Sequence, residues 1–437
     1  VNILNLPSLN ILAVHETEDT YHIEAESASP LLDMCDQCGF GEEYLSKYGT
    51  KKHLYADTPM HGKRVAITFR KQRYRCKNCG TTCFEIQLDM SDKRLATQRL
   101  IDYVSQQSLS RTFTSIAKEV GMDEKTVRNI FRDYVNFLYE HFRNETPKWL
   151  GIDEIHIIKP RCVLTNIEEN TIFDMLENRN KETLVKYLSR LPNRHQIQYV
   201  AMDMWNPYKD AVKAILPQAM IVVDKFHVVR MANTALEDIR KAHRKEIEPK
   251  QRRQLMRDRY VLLKRKHDLT AQDMLLLDLW TANYPKLKMA YDLKEDFFKI
   301  WDSKSRLEAY DKYQHWLRRI PDEMQAPFKP IVTAMKNWEE EVFNYFDHPV
   351  TNAYTESVNN LIRLANRIGR GYSFEALKAK ILFTEGIRKT KTTKHSMRSQ
   401  YNTFYSMMSY NSQDYEETLY LGTDISTLVD VIEKGSF

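Results

Sequence analysis

Acidic side chains interrupt three short apolar runs of this chain. In Trp149–Ile158, WLGIDEIHII, the residues Trp149, Leu150, Ile152, Ile155, Ile157 and Ile158 are enough for a buried strand, yet Asp153 and Glu154 stand in its middle. A buried, unpaired carboxylate is costly, so it takes a cationic partner, a pKa shift or a metal ion, unless it lies on a frayed edge in water. Ile197–Trp205 is a second apolar strand and ends in Asp203. Ala219–Val223 is a third, short and β-branched, delivering Asp224 and, three residues on, His227. Three strands thus hand acids to one end of a sheet, where they offer the hard oxygen ligands that Mg2+ or Mn2+ takes.

A second metal-ligating pattern lies near the start. Cys35 and Cys38 form one CxxC followed by glycine, Cys76 and Cys79 another, and Cys83 stands close by. Four thiolates at this spacing suit a tetrahedral Zn2+; two disulfides or a redox CxxC are the alternatives. Cys83 could replace one ligand or be a buried thiol, and the solitary Cys162 reads as core. Between the knuckles, Lys63–Tyr74 alternates Val65, Ile67 and Phe69 with Arg64, Thr68 and Arg70, a strand whose basic face suits either phosphate or plain solvent.

The elements that would position these groups follow from periodicity. Ser91–Leu138 reads as helices. Within it Phe113–Phe131 has helix-turn-helix spacing: Ala117 at the close crossing, Gly121 in the turn, Asp123 as N-cap, Val127 and Ile130 as anchors. The second helix would expose Lys125, Thr126, Arg128, Asn129 and Arg132, donors for phosphate and base edges; a helical hairpin without a nucleic-acid role is the bland reading. After Thr146-Pro147-Lys148 come the first strand, a hairpin of Val163–Ile167 and Thr171–Met175, a helix at Lys181–Leu191, the Asp203 strand, a helix at Tyr208–Leu216 and the Asp224 strand. From Val228 to His348 only helical stretches appear, broken at Pro249, Pro285, Pro321, Pro327 and Pro330, with the first half basic and the second aromatic. Most of those aromatics are expected in the core. Val350–Gly371 reads as a helix with Thr351 or Asn352 near its start, Glu356 in its second turn, and Arg363, Arg367 and Arg370 beyond.

Asp153, Asp203, the run Asp224-Lys225-Phe226-His227, and Thr351-Asn352 followed by Glu356-Ser357 and Asn359-Asn360, with Arg370-Gly371-Tyr372 after them, resemble the DDE transposases of bacterial insertion sequences, the ISL-three family in particular. The resemblance covers about residues 31–389. It implies a ribonuclease H-like α/β catalytic domain, and with the patterns above the chain reads as a multidomain α+β protein: an N-terminal arm and zinc-binding module (1–90), a helix-turn-helix DNA-binding domain (91–145), the catalytic domain (146–230 and 348–392) interrupted by an all-α insertion (231–347), and a C-terminal tail (393–437). It implies Asp153, Asp203 and Glu356 as catalytic acids holding Mg2+ or Mn2+, with Asp153 shared between two ions, and Arg363, Arg367 and Arg370 on DNA. Two ions about 3.5–4 Å apart activate the nucleophile and stabilise the leaving oxygen of an in-line phosphoryl displacement. In the implied fold the fourth strand neighbours the first and the fifth lies roughly 9–10 Å from it, which favours Asp203 over Asp224 as second acid. Asp224 and His227 then match the Asp/Cys-x-x-His signature of Mutator-like and hAT-like relatives; His227 contacts the scissile phosphate, orients a ligand, or is a capped core histidine. Arg363 stands where a lysine is frequent.

Length and charge agree with this. The 437 residues allow two to four domains, and the net charge of +6 is compatible with a polyanionic partner. No apolar run approaches the roughly 20 residues that span a bilayer, and the apolar N-terminus has no basic flank or small-residue cleavage site, so a cytoplasmic protein is expected. The implied partners are double-stranded DNA, both the terminal inverted repeats and the target, with a homodimer or higher multimer on DNA. A non-cutting regulator derived from such an enzyme and a nuclease or resolvase of the same fold are the other functions considered.

Overall fold

Alternating apolar residues build the N-terminal third as a sheet. The computed structural model of the chain describes residues 4–386 apart from positions 31, 143 and 244–246, so the expected tail at 393–437 lies outside the described residues. Strands β1 (Leu9–Glu16), β2 (Thr20–Ser27), β3 (Leu45–Met60), β4 (Lys63–Cys76), β5 (Thr82–Phe84), β6 (Met90–Ser91) and β7 (Ala96–Thr97) form one sheet in the order β1-β2-β4-β3-β7-β6, with β5 also on β4. Tyr21, Ile23 and Ala25 lie in register with Val65, Ile67 and Phe69, and all six are buried. The expected N-terminal arm is therefore two strands of this sheet. The basic face of β4 is partly spent inside the protein: Arg70 pairs with Glu24 at 2.7 Å, and Arg64 donates to the Lys118 carbonyl at 2.6 Å.

Helices α1 (Gln98–Ser110), α2 (Phe113–Val120) and α3 (Glu124–His141) follow. The expected helical stretch from Ser91 starts later, because Met90–Ser91 and Ala96–Thr97 complete the sheet. Gly121 ends α2 and Asp123 accepts from Lys125 N at 3.0 Å to cap α3, as the spacing predicts.

A second sheet has the order β10-β9-β8-β11-β12, built from β8 (Trp149–His156), β9 (Pro160–Asn166), β10 (Thr171–Leu176), β11 (Tyr199–Met202) and β12 (Met220–Val223). The pairs β10-β9 and β9-β8 are antiparallel, β8-β11 and β11-β12 parallel. Alternation divides β8 between two cores. Leu150 and Ile152 join a cluster with α4 (Lys181–Arg190), α5 (Asn206–Ile215) and the helices after β12; Ile155 packs beneath α14 (Ala353–Gly369) and α15 (Phe374–Glu385).

Between β12 and α14 the described residues hold only helices: α6 (Lys225–His243), α7 (Pro249–Arg257), α8 (Arg259–Leu263), α9 (Ala271–Asn283), α10 (Pro285–Ile300), α11 (Arg306–Arg319), α12 (Asp322–Asn337) and α13 (Glu339–Asp347), with one 3-10 turn at Lys266–Asp268. Trp280, Phe297, Phe298, Tyr313, Trp316 and Trp338 are buried there, as expected of core aromatics. Pro327 and Pro330 do not break a helix. They lie inside α12, whose buried Met324, Phe328, Ile331 and Met335 outweigh the lost backbone hydrogen bonds.

Candidate active site and metal centre

Register brings the three strand acids together. Ile152 on β8 pairs with Met202 on β11, which pairs with Val223 on β12, so the next residue of each strand, Asp153, Asp203 and Asp224, stands in one lateral row. With the usual strand spacing, Asp203 is the immediate neighbour of Asp153 and Asp224 lies one strand further, roughly 10 Å away. Glu356 reaches the row from α14, in the first turn and not the second, because the helix starts at Ala353.

The approach of α14 is set by every second residue of β8. Gly151 faces the helix start: a Cβ there would stand 2.9 Å from Asn352 Oδ1 and Thr355 Oγ1, and closer still to Thr165. In that space Thr165 and Thr355 share a buried hydrogen bond at 2.7 Å, and Thr355 donates to Asn352. One turn on, Asn359 Nδ2 donates to Asp153 Oδ2 at 2.6 Å. Asp153 Oδ1 also accepts from the Glu154 amide at 2.7 Å. Glu154 itself leaves the site on the opposite face, paired with Arg179, whose guanidinium lies 5.0 Å over the Trp205 ring.

Crowded carboxylates in a poorly solvated place resist ionisation. Burial first, then the charges of Asp203 and Glu356, push Asp153 up to about 7. Asp224, fully buried, is raised for the same reasons, chiefly burial. Its Oδ1 accepts from Phe226 N at 3.1 Å, while Oδ2 is buried with no hydrogen-bond partner among the described residues. His227 Nε2 lies 2.8 Å from Asp203 Oδ1. Burial disfavours the charged imidazole, but Asp203, with Asp224 and Asp153 behind it, outweighs burial and raises its pKa. Ligand atoms of Asp224, His227 and Glu356 lie within 4.8 Å of one another. Raised carboxylates, an orphaned carboxylate oxygen and an imidazole form a donor set that a divalent cation fits. The closest grouping contains Asp224, the sequence reading's alternative acid, and His227; Asp153 and Asp203 lie beside it.

Arg363, Arg367 and Arg370 are exposed; Glu356, Asn360, Arg363 and Arg367 follow one another at helical spacing along α14, and Arg370 caps its C-terminal end in the left-handed region. Arg363 donates to Asn360 at 2.9 Å. On α3, Lys125, Arg128 and Arg132 are exposed; Arg128 pairs with Glu124 at 2.5 Å and lies 4.9 Å over Phe113, and Arg132 donates to Asn129 at 3.0 Å. Thr126 is half-buried beside them.

Away from this centre, the sulfurs of Cys35, Cys38, Cys76 and Cys79 lie within 4.8 Å of one another. Cys35 to Cys79 and Cys38 to Cys76 are 3.6 Å, close to the edge of roughly 3.8 Å that a tetrahedron with 2.3 Å Zn–S bonds requires. All six cysteines are free, so the disulfide alternative is set aside. Gly39 and Gly80, at φ +72° and +74°, allow the turn after each knuckle. The amides of Cys38 and Gln37 hold the Cys35 thiol down to about 6. Cys83 Sγ is also 3.6 Å from Cys35 but is buried on β5, where burial raises its pKa. Cys162 is core, as expected.

Asn359, Gly151, Thr165 and Arg179 were not singled out by sequence as parts of the site. Asn359 was visible only as part of the Asn359-Asn360 pair that carries the family resemblance; the others gave no local signal, since their partners are distant in the chain.

Comparison with known proteins agrees with this geometry. Residues 150–381 match a family described as transposase, residues 90–135 the helix-turn-helix domain of transposase family ISL3, and residues 34–79 the zinc-finger of transposase IS204/IS1001/IS1096/IS1165. The chain belongs to the ISL3 transposase family. Among its relatives is the transposase for insertion sequence element IS1001 of Bordetella parapertussis, 24% identical over 348 residues, which cover 78% of this chain and 85% of that protein. The transposase for insertion sequence element IS1557 of Mycobacterium tuberculosis is 28% identical over 282 residues, 56% of this chain and 62% of its own. No helix among the described residues is long and apolar enough to cross a membrane.

Proposed function

We propose that the chain is a DDE transposase that binds the terminal inverted repeats of an insertion sequence and cuts and joins DNA in a metal-dependent reaction. The observation that carries this is the lateral row Asp153, Asp203, Asp224 met by Glu356 from α14. The strand order, with three antiparallel strands continued by two parallel ones, supports a ribonuclease H-like domain, residues 146–230 and 348–392. On this reading α6 to α13 are an all-α insertion at 231–347, residues 1–90 the zinc-binding module and 91–145 the helix-turn-helix domain.

Asp153, Asp203 and Glu356 are the catalytic acids and would hold Mg2+ or Mn2+, with Asp224 and His227 at the inner edge of the site. Such ions, when bound, supply an activated oxygen nucleophile and charge stabilisation for the leaving oxygen. The chain's own residues do the rest. Asn359 fixes the rotamer of Asp153, and His227 holds Asp203 in the row. Arg363, Arg367 and Arg370 line phosphates along α14 toward Glu356, while Lys125, Thr126, Arg128, Asn129 and Arg132 meet DNA from α3. The four cysteines hold a structural Zn2+. Joining two element ends requires them to be brought together, hence a homodimer or higher multimer on DNA in the bacterial cytoplasm.

The test is incubation of the full chain with inverted-repeat DNA and Mg2+, for wild type, Asp153→Ala, Asp203→Ala and Asp224→Ala. Cleavage disappears in the first two while DNA binding persists. Full activity in Asp203→Ala transfers the role to Asp224, and cleavage by all three variants overturns the reading.

A further inference from the structure

The helix-turn-helix does not close its own core. Its buried Leu100, Val104, Phe113 and Phe131 share one cluster with Ala379 and Phe383 of α15, whereas Leu377, Ile381 and Leu382 of that helix belong to the cluster with β8, β9 and α14. Its buried residues Leu377, Ala379, Ile381, Leu382 and Phe383 thus face both ways, so the middle of α15 is covered on two sides. α15 is accordingly a wall common to the DNA-binding helices and the carboxylate sheet.

Two lysines tie this wall to its two neighbours. On the sheet side Lys378 Nζ lies 2.7 Å from Asp174 on β10. On the other side Lys380 is only 4% exposed. Its Nζ donates to the carbonyl of Ser108, in the last turn of α1, whose partial negative charge an ammonium matches, and at 2.9 Å to that of Arg111, the residue that caps α1. Three aromatic rings surround the same ammonium: Phe113 at 4.6 Å, Tyr372 at 4.9 Å and Phe131 at 5.3 Å. Burial brings the Lys380 ammonium down to about 7, so its charge adds little net folding energy; a donor this deeply inserted, bonded only to groups of fixed geometry, defines position more than it adds stability.

We propose that Lys380 is a positioning residue that fixes the DNA-binding helices relative to the carboxylates, so that α15 sets the distance from the recognised sequence to the cut. This rests on the transposase reading above. Lys380→Met fills the same space without the ammonium, leaving the end of α1 free to slide on α15. Spin labels carried by unnatural amino acids at the exposed positions Glu140 and Ser189 report the separation of α3 and α4, and cleavage mapped at nucleotide resolution on inverted-repeat DNA reports the consequence.

In wild type the label distances form one narrow population and the cut falls at one phosphate. In Lys380→Met the population broadens, the cleavage rate falls on the order of 100-fold as for a misplacement of about 1 Å, and cuts spread to neighbouring phosphates, while affinity for repeat DNA stays within about twofold, because no base-reading or phosphate-contacting residue has changed. Lys380→Arg, which keeps the donors, retains a single cut position. A narrow distance population with wild-type cutting in Lys380→Met overturns the proposal, and so does loss of DNA binding together with cleavage. If Lys380→Met does not fold, Lys378→Met must broaden the distances in the same way, and unchanged distances overturn it. Absence of cleavage in wild type is a failure of the transposase reading, and the distance measurement still decides this one.

Discussion

Replacing Asp153 by Asn separates the electrostatics of the site from its packing. In the metal-free protein, burial and then the neighbouring acids move Asp153 from its ordinary 3.8 to about 7. The unfolded chain releases that proton near the ordinary value, so between roughly pH 4 and 7 the folded state binds more protons, and folding loses stability as pH rises. At 1.36 kcal/mol per tenfold change, that rise amounts to about 4 kcal/mol by pH 8, of which about 2–3 kcal/mol accrues between pH 5 and 8. Asn cannot ionise and escapes this loss. It does, however, offer one oxygen where Asp153 accepts from both Asn359 and the Glu154 amide, a pH-independent penalty of about 1–3 kcal/mol. Hydrogen exchange at the β8 amides, without added divalent ion, reads the opening of that sheet locally. The difference between variant and wild type should move by about 2–3 kcal/mol in the variant's favour from pH 5 to pH 8. Parallel pH profiles for the two proteins refute the reasoning. Added Mg2+ should protect wild type and leave Asp153→Asn unchanged.

Four further perturbations probe the rest of the molecule. Gly151→Ala drives a methyl group against Asn352 and Thr355; stability should fall by about 1–3 kcal/mol and cleavage more steeply than DNA affinity, which separate gel-shift and cleavage assays resolve. His227→Ala should destabilise the metal-free protein more at pH 5 than at pH 9, because a raised imidazole pKa contributes stability below its unfolded value that is lost as pH rises through the folded one; thermal melts at both pH values check the sign. Arg363→Ala and Arg367→Ala should each weaken DNA binding alike for all sequences and reduce the slope of log affinity against log salt by about 1, measured by titration at several salt concentrations. Cys76→Ser should lose bound zinc by elemental analysis and abolish recognition of the repeats; unchanged binding after zinc loss argues against the module's role.

The carboxylate row was legible because a charge inside an apolar run has few physical solutions, and Asp153, Asp203 and Asp224 each announce one. The knuckles of Cys35, Cys38, Cys76 and Cys79 were legible for a similar reason: thiolates at that spacing have one common use. What escaped depended on partners far along the chain. β3 carries seven exposed residues of mixed type, so no alternation announced it. Gly151 matters because Thr355, about 200 positions later, comes to rest against it. Pro327 and Pro330 misled, since local backbone preference was overridden by the buried side of α12. Glu356 lies one turn nearer the start of its helix than the second turn expected, because α14 begins at Ala353 and not at Val350; Asn352, expected near the start, is its N-cap.

The wall that α15 shares has a consequence for synthesis. α3 leaves the ribosome roughly 230 residues before α15 does. At 5–20 residues per second, the nascent helix-turn-helix waits on the order of 10–50 s with Phe113 and Phe131 uncovered on one side. A truncated polypeptide therefore emerges with its DNA-reading unit unfinished, and fragments ending before Phe374 should be poor competitors for element ends and ready clients for chaperones.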